Sequence, residues 1–131
     1  MTDMSDELIK LTATEAVACL RLKEVSPLDL VEASIKRIET FDTEVNALPI
    51  HCFDQARDQA ESLDLDRHLP NPKSLCGLPI AVKDYNDLGG VITTYGSPIF
   101  AHNVAQISDA TIRKLESNGA IAVAKSNVPE W

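Results

Sequence analysis

Two lysines stand where an amine could take part in proton transfer. Lys83 ends the apolar run Leu78–Val82 in "GLPIAVKDYNDLGG", and Lys125 ends a second such run in "AIAVAKSN". An ammonium group there makes chemical sense if the strand end is itself a site, because ligands of open parallel sheets gather outside the carboxyl ends of the strands. A lysine partly shielded from water loses proton affinity. A drop of about three units from ~10.4, roughly 4 kcal/mol of differential solvation, makes it a usable base near neutrality, able to deprotonate a serine hydroxyl. The competing reading is a lysine that reaches solvent or pairs with Asp84 or Asp87. On these grounds Lys83 and Lys125 are not distinguished.

Other reactive groups are scattered. Cys19, Cys52 and Cys76 form no CxxC pair and have no histidine at metal-ligand spacing, which fits reduced thiols, with Cys19 expected to be buried on a helical apolar face. His51, His68 and His102 read as surface or packing residues, and no metal or cofactor is implied. A thiol hydrolase pairing Cys76 with Lys83 is an alternative, but an extended strand would separate the two by about 20 Å at roughly 3.3 Å per residue.

The elements that must position these groups are legible. In "LTATEAV", Thr12 and Glu15 form a capping box with Leu11 and Ala16 as its hydrophobic staple. In "VSPLDLV", Ser26 and Asp29 repeat the box around Pro27, with Val25 and Leu30 as the staple. Leu28, Val31, Ile35 and Ile38 then make one apolar stripe on a long helix. "ALPIHCF" contains a short candidate strand, and Phe53, Ala56, Ala60 and Leu63 predict a helix running through "FDQARDQAESLDLDRHL", followed by a flexible connection at "LPNPKS". Ser108 is expected to cap a helix through "DATIRKLESN", which Gly119 stops. Strand, helix and strand in that order predict a parallel crossover unit whose continuous apolar strands are covered on both faces. The fold class is therefore α/β: residues 1–68 mainly helical, 76–131 a strand-helix-strand segment carrying the lysine.

Composition narrows the partners. The 131 residues are 44% hydrophobic, enough for the core of one domain, and 20 acidic against 12 basic residues leave a charge of −8. Such a chain should repel nucleic acid and anionic membranes. "MTDMSDELIK" is acidic where a secretory signal is basic, and no apolar run reaches membrane length, so a cytoplasmic location is expected.

The stretches "GLPIAVKDYNDLGGVITTYGSP" and "SDATIRKLESNGAIAVAKSNVPEW", with the two N-terminal helices, resemble the amino-terminal part of the amidase signature family. That resemblance implies helices packed on a mixed, largely parallel sheet that is incomplete in this chain. It implies a small-molecule amide as substrate and makes Lys83 the catalytic base, acting through a bridging cis-Ser on a nucleophilic Ser, with Lys125 either structural or supporting the site from one residue further out. Both serines belong to a Gly/Ser-rich loop that the family places after the "PEF"-like segment, here beyond Trp131; Gly89 and Gly90 sit earlier, in a turn. Ser97 and Ser126 are outside the nucleophile motif and read as turn or cap residues. Tyr85 stands where the family commonly has Asn. The 131 residues alone are therefore expected to be inactive, and their open sheet edge to favour a homo-oligomer. A non-catalytic binding module, or the lysine-bearing half of a split amidase or amidotransferase subunit, is the alternative.

Overall fold

The computed structural model describes residues 3–129, so Glu130 and Trp131 of the "PEW" motif lie outside it. The chain runs α1 (Met4–Leu8), α2 (Ala13–Arg21), α3 (Pro27–Val45), β1 (Ile50–His51), α4 (Phe53–Ser62), α5 (Leu65–His68), β2 (Pro79–Lys83), a 3-10 turn (Pro98–Phe100), α6 (Ala110–Ser117) and β3 (Ile121–Ser126). Both expected capping boxes form. Thr12 Oγ1 accepts the Glu15 N–H at 3.2 Å while the Glu15 carboxylate accepts the Thr12 N–H at 2.8 Å, and Ser26 and Asp29 do the same at 3.1 and 2.9 Å. Each box satisfies donors that a helix start leaves without partners.

The sheet has the order β1-β3-β2, with β3 antiparallel to β1 and parallel to β2. The α3 stripe does cover this sheet: Val31, Ile35 and Ile38 pack with Ala56 and Ala60 of α4 on Ile121, Val123 and Ala124 of β3. On the opposite face Val82 and Ala122 meet Leu88, Val91 and Ile112 of α6. A third cluster gathers Ala16, Leu20, Leu30 and Cys76. The arrangement is the expected mixed α/β one, with β3 buried from both sides.

One departure from regularity governs the site. Ile80 is in register with Ala122 but Ala81 with Ala124, so one step along β2 corresponds to two along β3. Val123 is the extra residue, a bulge that breaks the two-residue alternation of strand side chains. Val123 and Ala124, though consecutive, both lie in the α3/α4 cluster, and Lys125 emerges beside its partner Val82 on the other face.

Four expectations need correction. The helix predicted from Phe53 onward breaks at Leu63, whose backbone is extended, because Ala56 and Ala60 belong to the first cluster and Leu65 to the third, and a straight helix cannot reach both. The "LPNPKS" segment is tied down: the Arg21 guanidinium donates to the Leu69 and Asn71 carbonyls at 2.6 and 3.1 Å, and the buried Ser74 hydroxyl donates to the Asn118 carbonyl at 2.9 Å. Asp109 rather than Ser108 precedes α6, and neither side chain caps it. Cys19 is half-buried; Cys52 and Cys76 are the buried thiols. Gly119 does stop α6 at φ +94°. Among the described residues no helix is long and apolar enough to cross a membrane.

Candidate active site

Beyond its bulge, β3 delivers Lys125 into the interior, fully buried against the loop that leaves β2. Its ammonium meets three acceptors: the Asn86 carbonyl at 2.6 Å, Thr93 Oγ1 at 2.8 Å and Asp84 Oδ1 at 3.2 Å. Three acceptors match the three N–H bonds of an ammonium group. Asp84, only 3% exposed, also accepts the Thr94 N–H at 3.1 Å and a hydrogen bond from the Thr94 hydroxyl. Burial pushes the Lys125 amine below its ordinary pKa, against the opposing pull of Asp84.

The surrounding loop is fastened at further points. Asp109 Oδ2 accepts the Asp87 N–H at 3.0 Å and the Asn86 side-chain amide at 3.1 Å, and Ser108 Oγ accepts the Gly89 N–H at 2.9 Å. This explains why neither residue caps α6: both side chains bind the 86–89 turn instead. Tyr95 Oη donates to Asp87 Oδ1 at 2.5 Å, and this bond chiefly holds the phenol above its usual pKa.

Lys83 has the opposite surroundings. Along Ala81, Val82, Lys83, Asp84 and Tyr85 exposure alternates out, in, out, in, out, so Lys83 and Asp84 point to opposite sides. The Lys83 amine is exposed at the end of β2 and lies 4.9 Å from the centre of the Tyr85 ring. No carboxylate among the described residues pairs with it. The shelter expected at the strand end therefore falls on Lys125 within these residues, because β3 is the central strand and its bulge turns Lys125 toward the loop that leaves β2, while β2 lies at an edge of the three-stranded sheet. Asp84, foreseen as a partner for a strand-end lysine, pairs with Lys125.

The remaining candidates separate from Lys83. Cys76 is buried ahead of β2, with its Sγ 3.5 Å from the Arg21 guanidinium, and Lys83 closes the same strand. Ser97 Oγ accepts the Ile99 N–H at 3.3 Å, the expected turn role. Ser126 is the register partner of Lys83. Sequence reasoning missed Thr93, Thr94 and Asp109; a buried lysine needs acceptors, but nothing in the spacing says which loop residues supply them. Among the described residues no group of three or more His, Cys, Asp or Glu is placed to hold a metal ion.

The family model for amidases matches residues 29–131, which includes both lysine strands and the loop between them. The chain belongs to the amidase family. AmiB2 of Mycobacterium bovis is 42% identical over 106 residues, covering 77% of this chain and 22% of that protein. A glutamyl-tRNA(Gln) amidotransferase subunit of Anaeromyxobacter dehalogenans is 36% identical over 132 residues, covering 100% of this chain and 27% of its own length. The crystal structure of an amidase family protein from Bacillus anthracis superimposes with a TM-score of 0.81 at 26% identity, covering 97% of this chain and 26% of that one. The amidase-family chain thus spans about a quarter of the length of the curated relatives it matches.

Proposed function

We propose that Lys83 is the general base of a C–N hydrolase and that these 131 residues are the lysine-bearing amino-terminal part of a single amidase domain. Its amine takes the proton of a bridging serine, which takes that of the nucleophilic serine. The serine oxygen attacks the amide carbonyl carbon, the C–N bond breaks as the leaving nitrogen is protonated, and water cleaves the acyl-enzyme ester. Both serines come from outside these residues, so the 131-residue polypeptide alone turns over no amide.

The observation that carries the reading is the division of labour between the two strand-end lysines. Every N–H of the buried Lys125 ammonium has an acceptor, and an ammonium so held has no lone pair with which to take a proton. Lys83 is exposed at the carboxyl end of its strand, with the neighbouring carboxylate drawn to the far side. The substrate is a small carboxylic acid amide; likeness over the whole chain to one component of an amidotransferase supports a variant in which the released ammonia passes to another acceptor. The charge of −8 supports a protein that avoids nucleic acid and anionic membrane surfaces.

The test is a chimera in which this chain replaces the matching quarter of the Pseudomonas putida amidase, 33% identical over 125 residues. Ammonia release is followed on acetamide, propionamide and benzamide. Lys83→Met should lower kcat about 10²–10⁴-fold with an unchanged circular dichroism spectrum. Activity within tenfold of the unsubstituted chimera refutes the assignment.

A further inference from the structure

We infer that Lys125 is a positioning residue for Lys83, acting through Tyr85: the buried ammonium grips the residues on both sides of Tyr85 and so sets the aromatic ring over the Lys83 amine. The inference rests on the proposed role of Lys83 and adds how that amine is held.

The chain geometry makes the connection short. Lys83, Asp84, Tyr85 and Asn86 form a turn closed by the Asn86 N–H on the Lys83 carbonyl at 2.9 Å. Lys125 binds the side chain of Asp84 and the carbonyl of Asn86, the two neighbours of Tyr85. Its third bond, to Thr93, ties the far limb of the loop to the same point. The Asp84 N–H donates to the Ser126 carbonyl at 3.1 Å and the Tyr95 N–H to the Asp84 carbonyl at 3.2 Å, so the turn is anchored to β3 and to the returning chain. Alternation then leaves the Tyr85 ring on the side of Lys83, 4.9 Å from its Nζ. An exposed lysine carries four rotatable side-chain bonds, and an aromatic face within about 6 Å restricts where its charged end rests.

The experiment uses the folded 131-residue chain itself, with its exposed lysines reductively ¹³C-dimethylated under native conditions, which spare the buried Lys125, and their methyl signals recorded by NMR. The Lys83 signal is identified by its loss in Lys83→Arg, and Tyr85→Leu gives its position without the ring. In Lys125→Met/Asp84→Asn, which leaves no unpaired buried charge, the Lys83 signal should move to the Tyr85→Leu position while the dispersion of the folded chain persists. Thr93→Val, which keeps every charge and removes one acceptor, should move it part of the way. A wild-type Lys83 signal in both folded variants overturns the inference, since a lysine that merely fills the core would leave it in place. If the double variant does not fold, the Thr93→Val shift decides by the same criterion. The chimera's response to Lys83→Met is a separate measurement, so a failed base assignment and a failed positioning role give different results.

Discussion

Removing one member of the Lys125–Asp84 pair should cost far more than removing both charges. Lys125 is fully buried and Asp84 is 3% exposed, so Lys125→Met strands a carboxylate in the interior. Breaking a buried pair from one side typically costs about 3–5 kcal/mol, against roughly 5–15 kcal/mol for the whole stability of a small domain. Asp84→Asn should cost a similar amount, because the ammonium loses its counter-charge while keeping Asn86 and Thr93. In the double variant both charges are gone. What remains is the loss of donors to one carbonyl and one hydroxyl, at about 1–3 kcal/mol for each unsatisfied group. The coupling energy should therefore come to about 4 kcal/mol. Urea unfolding followed by circular dichroism measures all four proteins, and equal m-values establish that the same transition is compared. Additivity of the two single effects within about 0.5 kcal/mol would refute the claim that the pair is one energetic unit.

Two further outcomes follow from groups outside this pair. Gly119→Ala should destabilise the chain by about 2 kcal/mol or more in the same assay, since φ is +94° and a Cβ would lie 2.9 Å from the Cys76 backbone nitrogen, which cannot yield. Burial raises the Cys52 thiol from 9.0 to about 11, so the folded chain keeps a proton that the unfolded chain releases between those pH values. The stability due to the neutral thiol is complete below pH 9 and lost as pH climbs toward 11, by about 2.7 kcal/mol at 1.36 kcal/mol per unit. The difference in unfolding free energy between wild type and Cys52→Ala should shrink over that window, and a constant difference would contradict the shift.

Local grammar made much of the fold legible. Thr12 with Glu15 and Ser26 with Asp29 announce helix starts because the partners lie three residues apart, and the α3 stripe reads directly as a buried face. The parallel pairing of β2 and β3 followed from the run of strand, helix and strand. What escaped were features set by distant contacts. The Asp109 carboxylate is as near in sequence to its own helix as a cap should be, yet it is drawn to the backbone of Asp87, 22 residues away. Leu63 satisfies the helical spacing but is pulled out of it where the chain passes between two clusters. The difference between the lysines was hidden for a related reason: both end similar apolar runs, and only the register of β3 against β2 decides which one turns inward.

The bulge at Val123 makes the length of this strand a chemical variable. Inserting one residue between Ala124 and Lys125 would turn the lysine to the other face and aim its ammonium at Val31, Ile35 and Ile38, where no oxygen awaits it. Lineages descending from this sequence can therefore exchange aliphatic side chains along β3 with modest penalty, whereas a single-codon insertion just before Lys125 would invert the polarity of the strand's end.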